Sequence, residues 1–160
     1  MSIQTHAARS GSRASRSGAP RGGVALLCAL GLLAQTPARA DTAGSLYQRL
    51  GGEDAVTGIA TDLIERAARD PATRRSFEGV RLAHTERQLA LQLCEVTGGG
   101  CARNDDSMRD VHAGLGITQQ EFYALVEILR EVMVRRGIAL RERNELLALL
   151  APMKRDVVEK

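Results

Sequence analysis

Few side chains in this 160-residue chain can do chemistry, so each can be weighed alone. The histidines are His6, His84 and His112, and the cysteines are Cys28, Cys94 and Cys101. There is no HExxH pair and no carboxylate cluster at metal-ligand spacing, so a zinc-hydrolase reading has no local support. Cys94 and Cys101 stand seven apart, without the paired CxxC spacing of a structural zinc site. No local pattern supports a Ser-His-Asp or Cys-His nucleophile either, although such sets assemble in space and stay open at this point. The aromatics are Tyr47, Phe77, Phe122 and Tyr123, with no Trp. That is too few for the stacking platform of a single-strand nucleic-acid binder.

His112 remains. It sits in a short polar segment of a chain whose other segments are apolar and helical in pattern. A single neutral imidazole in an apolar helical cavity is what a haem iron takes from a protein. A lone histidine is more often structural or exposed, and residue type alone leaves both readings open.

The elements that must position these residues are helical. Ala55, Val56, Ile59, Ala60, Leu63, Ile64 and Ala67 recur at helical spacing after Glu53 and Asp54, whose charges suit a helix N-terminus. Asp70-Pro71 ends that helix. Leu82, Leu89, Leu93 and Val96 mark a second helix, closed by Gly98-Gly99-Gly100. A short segment runs from Ser107 to about Ala113. Thr118-Gln-Gln-Glu121 reads as a capping box that opens a long helix, with Phe122, Leu125, Val126, Leu129, Val132 and Met133 inward. Arg135, Arg136 and Gly137 close it. The last helix is expected from about Leu140 to Val157, bent or locally broken at Pro152. No strand pattern is present. The fold class is therefore all-α.

The first forty residues differ from the rest. They hold Arg9, Arg13, Arg16, Arg21 and Arg39 and no acid. An apolar run of about 11 residues, Val24 to Ala34, is too short for the roughly 20 needed to span a bilayer. It leads to Ala38-Arg39-Ala40, an Ala-x-Ala cleavage pattern. This reads as a secretory signal peptide over 1–40, with a mature domain over 41–160 and a periplasmic or secreted destination. Removing five arginines turns 22 bases against 19 acids into 17 against 19, a formal charge of −2. The basic surplus that hinted at nucleic acid or anionic membrane disappears, and no stable membrane anchor remains. Cys28 leaves with the leader, so Cys94 and Cys101 are the two cysteines of a chain in an oxidising compartment. With Gly98-Gly99-Gly100 between them, a disulfide is expected. Two free buried thiols are the alternative.

Four segments in order resemble the group 1 truncated haemoglobins. They are Ser45-Leu-Tyr-Gln-Arg-Leu-Gly-Gly52, Leu93-Cys-Glu-Val-Thr-Gly-Gly99, Asp110-Val-His-Ala-Gly-Leu-Gly-Ile-Thr118 and Asn144-Glu-Leu-Leu-Ala-Leu-Leu-Ala-Pro-Met-Lys-Arg-Asp-Val157. The resemblance spans about 45–158. It implies a truncated globin fold, a two-over-two helical sandwich around one haem b. It also implies reversible binding of a diatomic gas: oxygen, CO or NO. Carried over by residue, it makes His112 the proximal iron ligand, and Phe77 and Phe122 walls of the haem cavity. Leu63 and Ile64 fall where family members with tight oxygen binding offer a Phe-Tyr pair, so the phenolic donor is missing. The other distal positions fall near Thr85, Gln88 and Leu89, the last also a haem-wall residue. Of these, Thr85 and Gln88 can hydrogen-bond. His84 precedes Thr85 and is expected at the surface or rim. A slip of its helix by one position would make it a sixth iron ligand. The segment Ala102-Arg-Asn-Asp-Asp106 departs from the family pattern.

Two other functions stay in view. Haem-bound oxygen and NO can yield nitrate, an NO dioxygenase activity that needs an electron donor, and the chain has no flavin or nicotinamide motif. A haem-free helical interaction domain is the alternative from another class.

Overall fold

The computed structural model describes residues 44–102 and 107–160. The signal peptide expected over 1–40 lies outside the described residues, as does the 103–106 part of the departing segment. Seven α-helices are described: α1 (Leu46–Leu50), α2 (Gly52–Ala67), α3 (Leu82–Val96), α4 (Met108–His112), α5 (Gln119–Arg135), α6 (Leu140–Leu150) and α7 (Lys154–Val157). Two 3-10 turns, Arg74–Phe77 and Ala151–Met153, join them. No strand is present among the described residues, in accord with the all-α expectation. No helix among them is long and apolar enough to cross a membrane.

Local sequence sets most boundaries. Ser45 and Gln48 form a capping box at α1, and Gly51 at φ 113° turns the chain directly into α2. Only glycine enters that left-handed region without steric cost. Glu53 and Asp54 occupy the first turn of α2. Past its end, the buried Thr73 hydroxyl donates to the Ala67 carbonyl at 2.6 Å. Thr118 and Glu121 make the expected capping box at α5. The last helix is interrupted. Pro152 brings no backbone N–H, and the chain passes through a 3-10 turn before α7 resumes.

The core draws fully buried side chains from four helices, the largest of each being Ile59 of α2, Leu93 of α3, Met133 of α5 and Leu146 of α6. α2 packs on both α3 and α5, while α1 packs on α6 and α4 on α7. Three residues expected inward on α5, Phe122, Leu125 and Val126, are only half-buried. Phe122 and Leu125 line a cavity, and Leu125 also packs against the edge of the core. Periodicity marks an apolar face but not whether protein or an open space meets it.

Candidate functional site

A cavity of about 560 Å³ opens among α2, α3, α4 and α5. That is within the ~300–1,000 Å³ of small-molecule and cofactor pockets. α2 contributes Leu63 and Ile64, each 4% exposed. The Arg74–Phe77 turn contributes Phe77, and α5 contributes Phe122. α3 lays His84, Thr85, Gln88 and Leu89 along the wall. These fall at i, i+1, i+4 and i+5, which is one face of a helix. His84 is exposed, so it stands at the rim. The Thr85 hydroxyl donates to the Arg81 carbonyl at 3.4 Å, one turn back in the chain. All the expected cavity residues therefore meet in one space, together with His112.

His112 ends α4, a helix of one turn opened by Ser107. The Ser107 hydroxyl accepts from the Asp110 N–H at 3.1 Å. The His112 Nδ1 lies 2.7 Å from the Met108 carbonyl. A carbonyl oxygen only accepts, so Nδ1 carries a ring proton, and in the neutral ring this leaves Nε2 with a lone pair. A histidine held by Nδ1–H on a backbone carbonyl is oriented to ligate a metal through Nε2. Among the described residues, no group of three or more His, Cys, Asp or Glu gathers to hold an ion.

The chain after His112 is tied down from two sides. The Glu159 carboxylate accepts from Gly114 N–H at 2.7 Å and Gly116 N–H at 2.6 Å. Glu159 N–H donates to the Ile117 carbonyl, and Gln119 N–H donates to the Lys160 carbonyl. Those two amides on its carboxylate, Gly114 first, hold the Glu159 pKa below its ordinary value. From the other side, Arg75 donates to Glu121 through Nε at 2.9 Å and Nη2 at 2.7 Å. The same guanidinium reaches the Leu115 and Gly116 carbonyls at 3.3 and 3.1 Å. Glu121 also accepts from Thr118 and Ser76. The Arg75 bond, followed by those from Thr118 and Ser76, outweighs burial and brings the Glu121 carboxyl down to about 2.

Cys94 and Cys101 are joined, with Cα atoms 5.8 Å apart. The bridge connects the end of α3 to the segment leading toward α4. Gly99 makes room for it. A Cβ there would lie 2.5 Å from Cys94 Sγ and 2.7 Å from the Tyr47 ring.

Sequence reasoning missed much of the rest of the site, of which four residues matter most. Val111 and Leu115 are exposed apolar side chains that line the cavity on either side of His112. Gln92 lines it from α3 at 6% exposure, and its spacing of four from Gln88 was a legible signal. Glu159 gave no signal, because its partners are 43 and 45 residues away.

Residues 45–159 match the model of a family described as bacterial-like globin. The group 1 truncated hemoglobin GlbN of Nostoc sp. (strain MUN 8820) is 28% identical over 116 residues, covering 72% of this chain and 98% of the relative. The group 1 truncated hemoglobin of Tetrahymena pyriformis is 22% identical over 116 residues, covering 72% of this chain and 96% of the relative. Its crystal structure in the Fe(III) form superposes with a TM-score of 0.69 at 21% identity, covering 73% of this chain and all of that one. The 2/2 hemoglobin from Synechococcus sp. PCC 7002, solved in the cyanomet state with covalently attached heme, gives 0.68 at 22%, again over 73% of this chain and all of that one. The helical sandwich expected from the sequence is thus the observed fold. With its helices, its cavity and the whole span from α1 to Glu159 accounted for, the chain belongs to the bacterial-like, or truncated, globin family of haem proteins.

Proposed function

We propose that this chain holds haem b through His112 and reversibly binds a diatomic gas, oxygen, CO or NO, in the cavity beneath α3. The observation that carries the reading is the His112 ring. Its Nδ1–H is held on the Met108 carbonyl and its Nε2 is left as a ligand in the wall of an apolar cavity. The residues present fit the group. Phe77, Leu89 and Phe122 offer apolar contact to a porphyrin, and Leu63 and Ile64 keep one end of the space dry. When bound, haem supplies an iron with a coordination position for the gas.

The protein's own part is positioning. Glu159 and Arg75 immobilise the chain after His112, which holds the imidazole at one orientation. Leu63 and Ile64 offer no hydrogen to a gas ligand. Thr85 spends its hydroxyl on its own helix. His84 stands at the rim, where we assign it no bond to iron. Residues 1–40 direct the chain to the periplasm or outside the cell and are removed before Asp41. N-terminal sequencing of exported protein checks this, and a mature form that keeps those residues refutes it.

The visible spectrum of the purified protein tests the function. Reconstituted protein is expected to show a Soret band that shifts with CO, and His112→Ala is expected to retain haem poorly. A protein that takes up no haem is a helical interaction domain instead. An unchanged ferrous-CO spectrum in His112→Ala removes the ligand assignment.

A further inference from the structure

α3 shows a second face, turned away from the cavity that His112 lines. Along its seam with α2 runs an open groove of about 530 Å³. Tyr47, Val56, Ala90 and Leu91 line it and, toward the end of α3, so do Cys94 and Cys101. The two sulfurs differ in access. Cys94 is 3% exposed and belongs to the core, whereas Cys101 is half-buried at its edge. The bridge also holds a particular place in the chain. Cys94 is two residues past Gln92, which lines the His112 cavity, and Cys101 is 11 residues before His112. Among the described residues, Gly100, Cys101 and Ala102 make no backbone hydrogen bond with the rest of the fold. The bridge and the packing of Cys101 therefore fasten the start of the segment that leads to α4.

We propose that the Cys94–Cys101 bridge is a reversible thiol-exchange site, opened from the groove by a dithiol, and that opening it loosens the segment bearing His112. A thiolate of the dithiol attacks the Sγ of Cys101, the more accessible sulfur. A mixed disulfide forms as the protein's own S–S bond breaks. Cys94 leaves as a thiolate and takes up a proton. The second thiol of the reductant, deprotonated, then attacks its partner's sulfur in the mixed disulfide and frees Cys101, which also takes up a proton. Two electrons pass to the protein, and the dithiol ends as a cyclic disulfide. Cys94 stays in an apolar surrounding that suits a neutral thiol. Cys101 is then held by packing alone, and the freedom that the bridge removed from this stretch returns to it.

Only the consequence for haem rests on the haem reading, and the test separates the two. Full-length oxidised protein is treated with dithiothreitol at urea concentrations below the unfolding transition, and free thiols are counted by alkylation and mass spectrometry. The reduction rate should stay flat across that range, because the bond is reached in the folded chain. A rate that climbs with the slope of global unfolding shows that only the unfolded chain is reduced, and overturns the proposal. The Val111 N–H, bonded to the Ser107 carbonyl at 3.2 Å, reports on α4. After reduction its exchange should quicken about tenfold, as the closure entropy returns to the chain. Haem should also pass faster to an excess of apomyoglobin. Cys94→Ala with Cys101→Ala should match the reduced wild type in both measurements and respond no further to dithiothreitol. Unchanged Val111 exchange, or unchanged haem transfer from a protein that shows a Soret band, makes the bridge a staple that does not reach His112 and overturns the proposal. A protein without a Soret band overturns the haem reading alone, because thiol counting and amide exchange are read on the protein as purified.

Discussion

Arg75 and Glu121 form a two-armed ion pair that fastens the turn carrying Phe77 to the first turn of the helix carrying Phe122. The same guanidinium bonds the carbonyls of Leu115 and Gly116, just after His112. One side chain thus links two walls of the cavity to the segment that bears its only described histidine besides the rim residue His84.

Glu121 makes stability acid-sensitive in a defined window. Its carboxyl titrates at about 2 in the folded chain against an ordinary 4.5. The folded state therefore prefers the ionised form. This contribution is complete above about pH 4.5 and is lost as pH falls toward 2. Glu121→Gln removes the Arg75 pair and weakens the capping box, at an expected cost of ~0.5–2 kcal/mol at neutral pH. Thermal melts from pH 5 to pH 2 check this. The wild type should lose its advantage over the variant across that range, and a constant gap refutes the assignment.

Glu159 should govern the order of the loop after His112. Glu159→Gln keeps the shape but replaces a charged acceptor with a weaker neutral one. Amide hydrogen exchange is expected to quicken at Gly114 and Gly116 and to stay unchanged in α2. Because its pKa is lowered, the wild-type strap should persist at pH values where an ordinary glutamate is protonated. Equal exchange in both proteins would mean the loop is held without it.

Ile64 sits where a donor would reach the cavity. Ile64→Tyr is expected to slow oxygen release roughly fivefold, the worth of one net hydrogen bond of ~1 kcal/mol, and more if the site is dry. CO release should change less. Stopped-flow ligand replacement measures both, and an unchanged oxygen off-rate refutes the expectation.

The Cys94–Cys101 bridge closes a short loop, for which the chain-entropy model gives about 2–3 kcal/mol. Reduction, or Cys94→Ala with Cys101→Ala, should lower the melting temperature. Non-reducing mass spectrometry of exported protein should show no free thiol. Two free thiols in that material would refute the bridge, and unchanged melting would make it energetically minor.

The sequence by itself determined the longer helices. Helix faces repeat every three or four residues, and caps such as Thr118 with Glu121 act within one turn, so both are written locally. The resemblance around His112 also singled out the residue that the cavity contains. What no local pattern encodes is which distant groups meet. Arg75 and Glu121 are 46 apart, and Glu159 and Gly114 are 45 apart. Phe122 and Leu125 read as core from periodicity, and only the packing of α2 on α3 and α5 left a cavity for them to line. Gln92 lies on the inward face of an amphipathic helix, where an apolar residue was the expectation. The lack of a partner for its Oε1 becomes visible only when neighbouring helices close around it, because satisfaction of a buried polar group is a property of its surroundings.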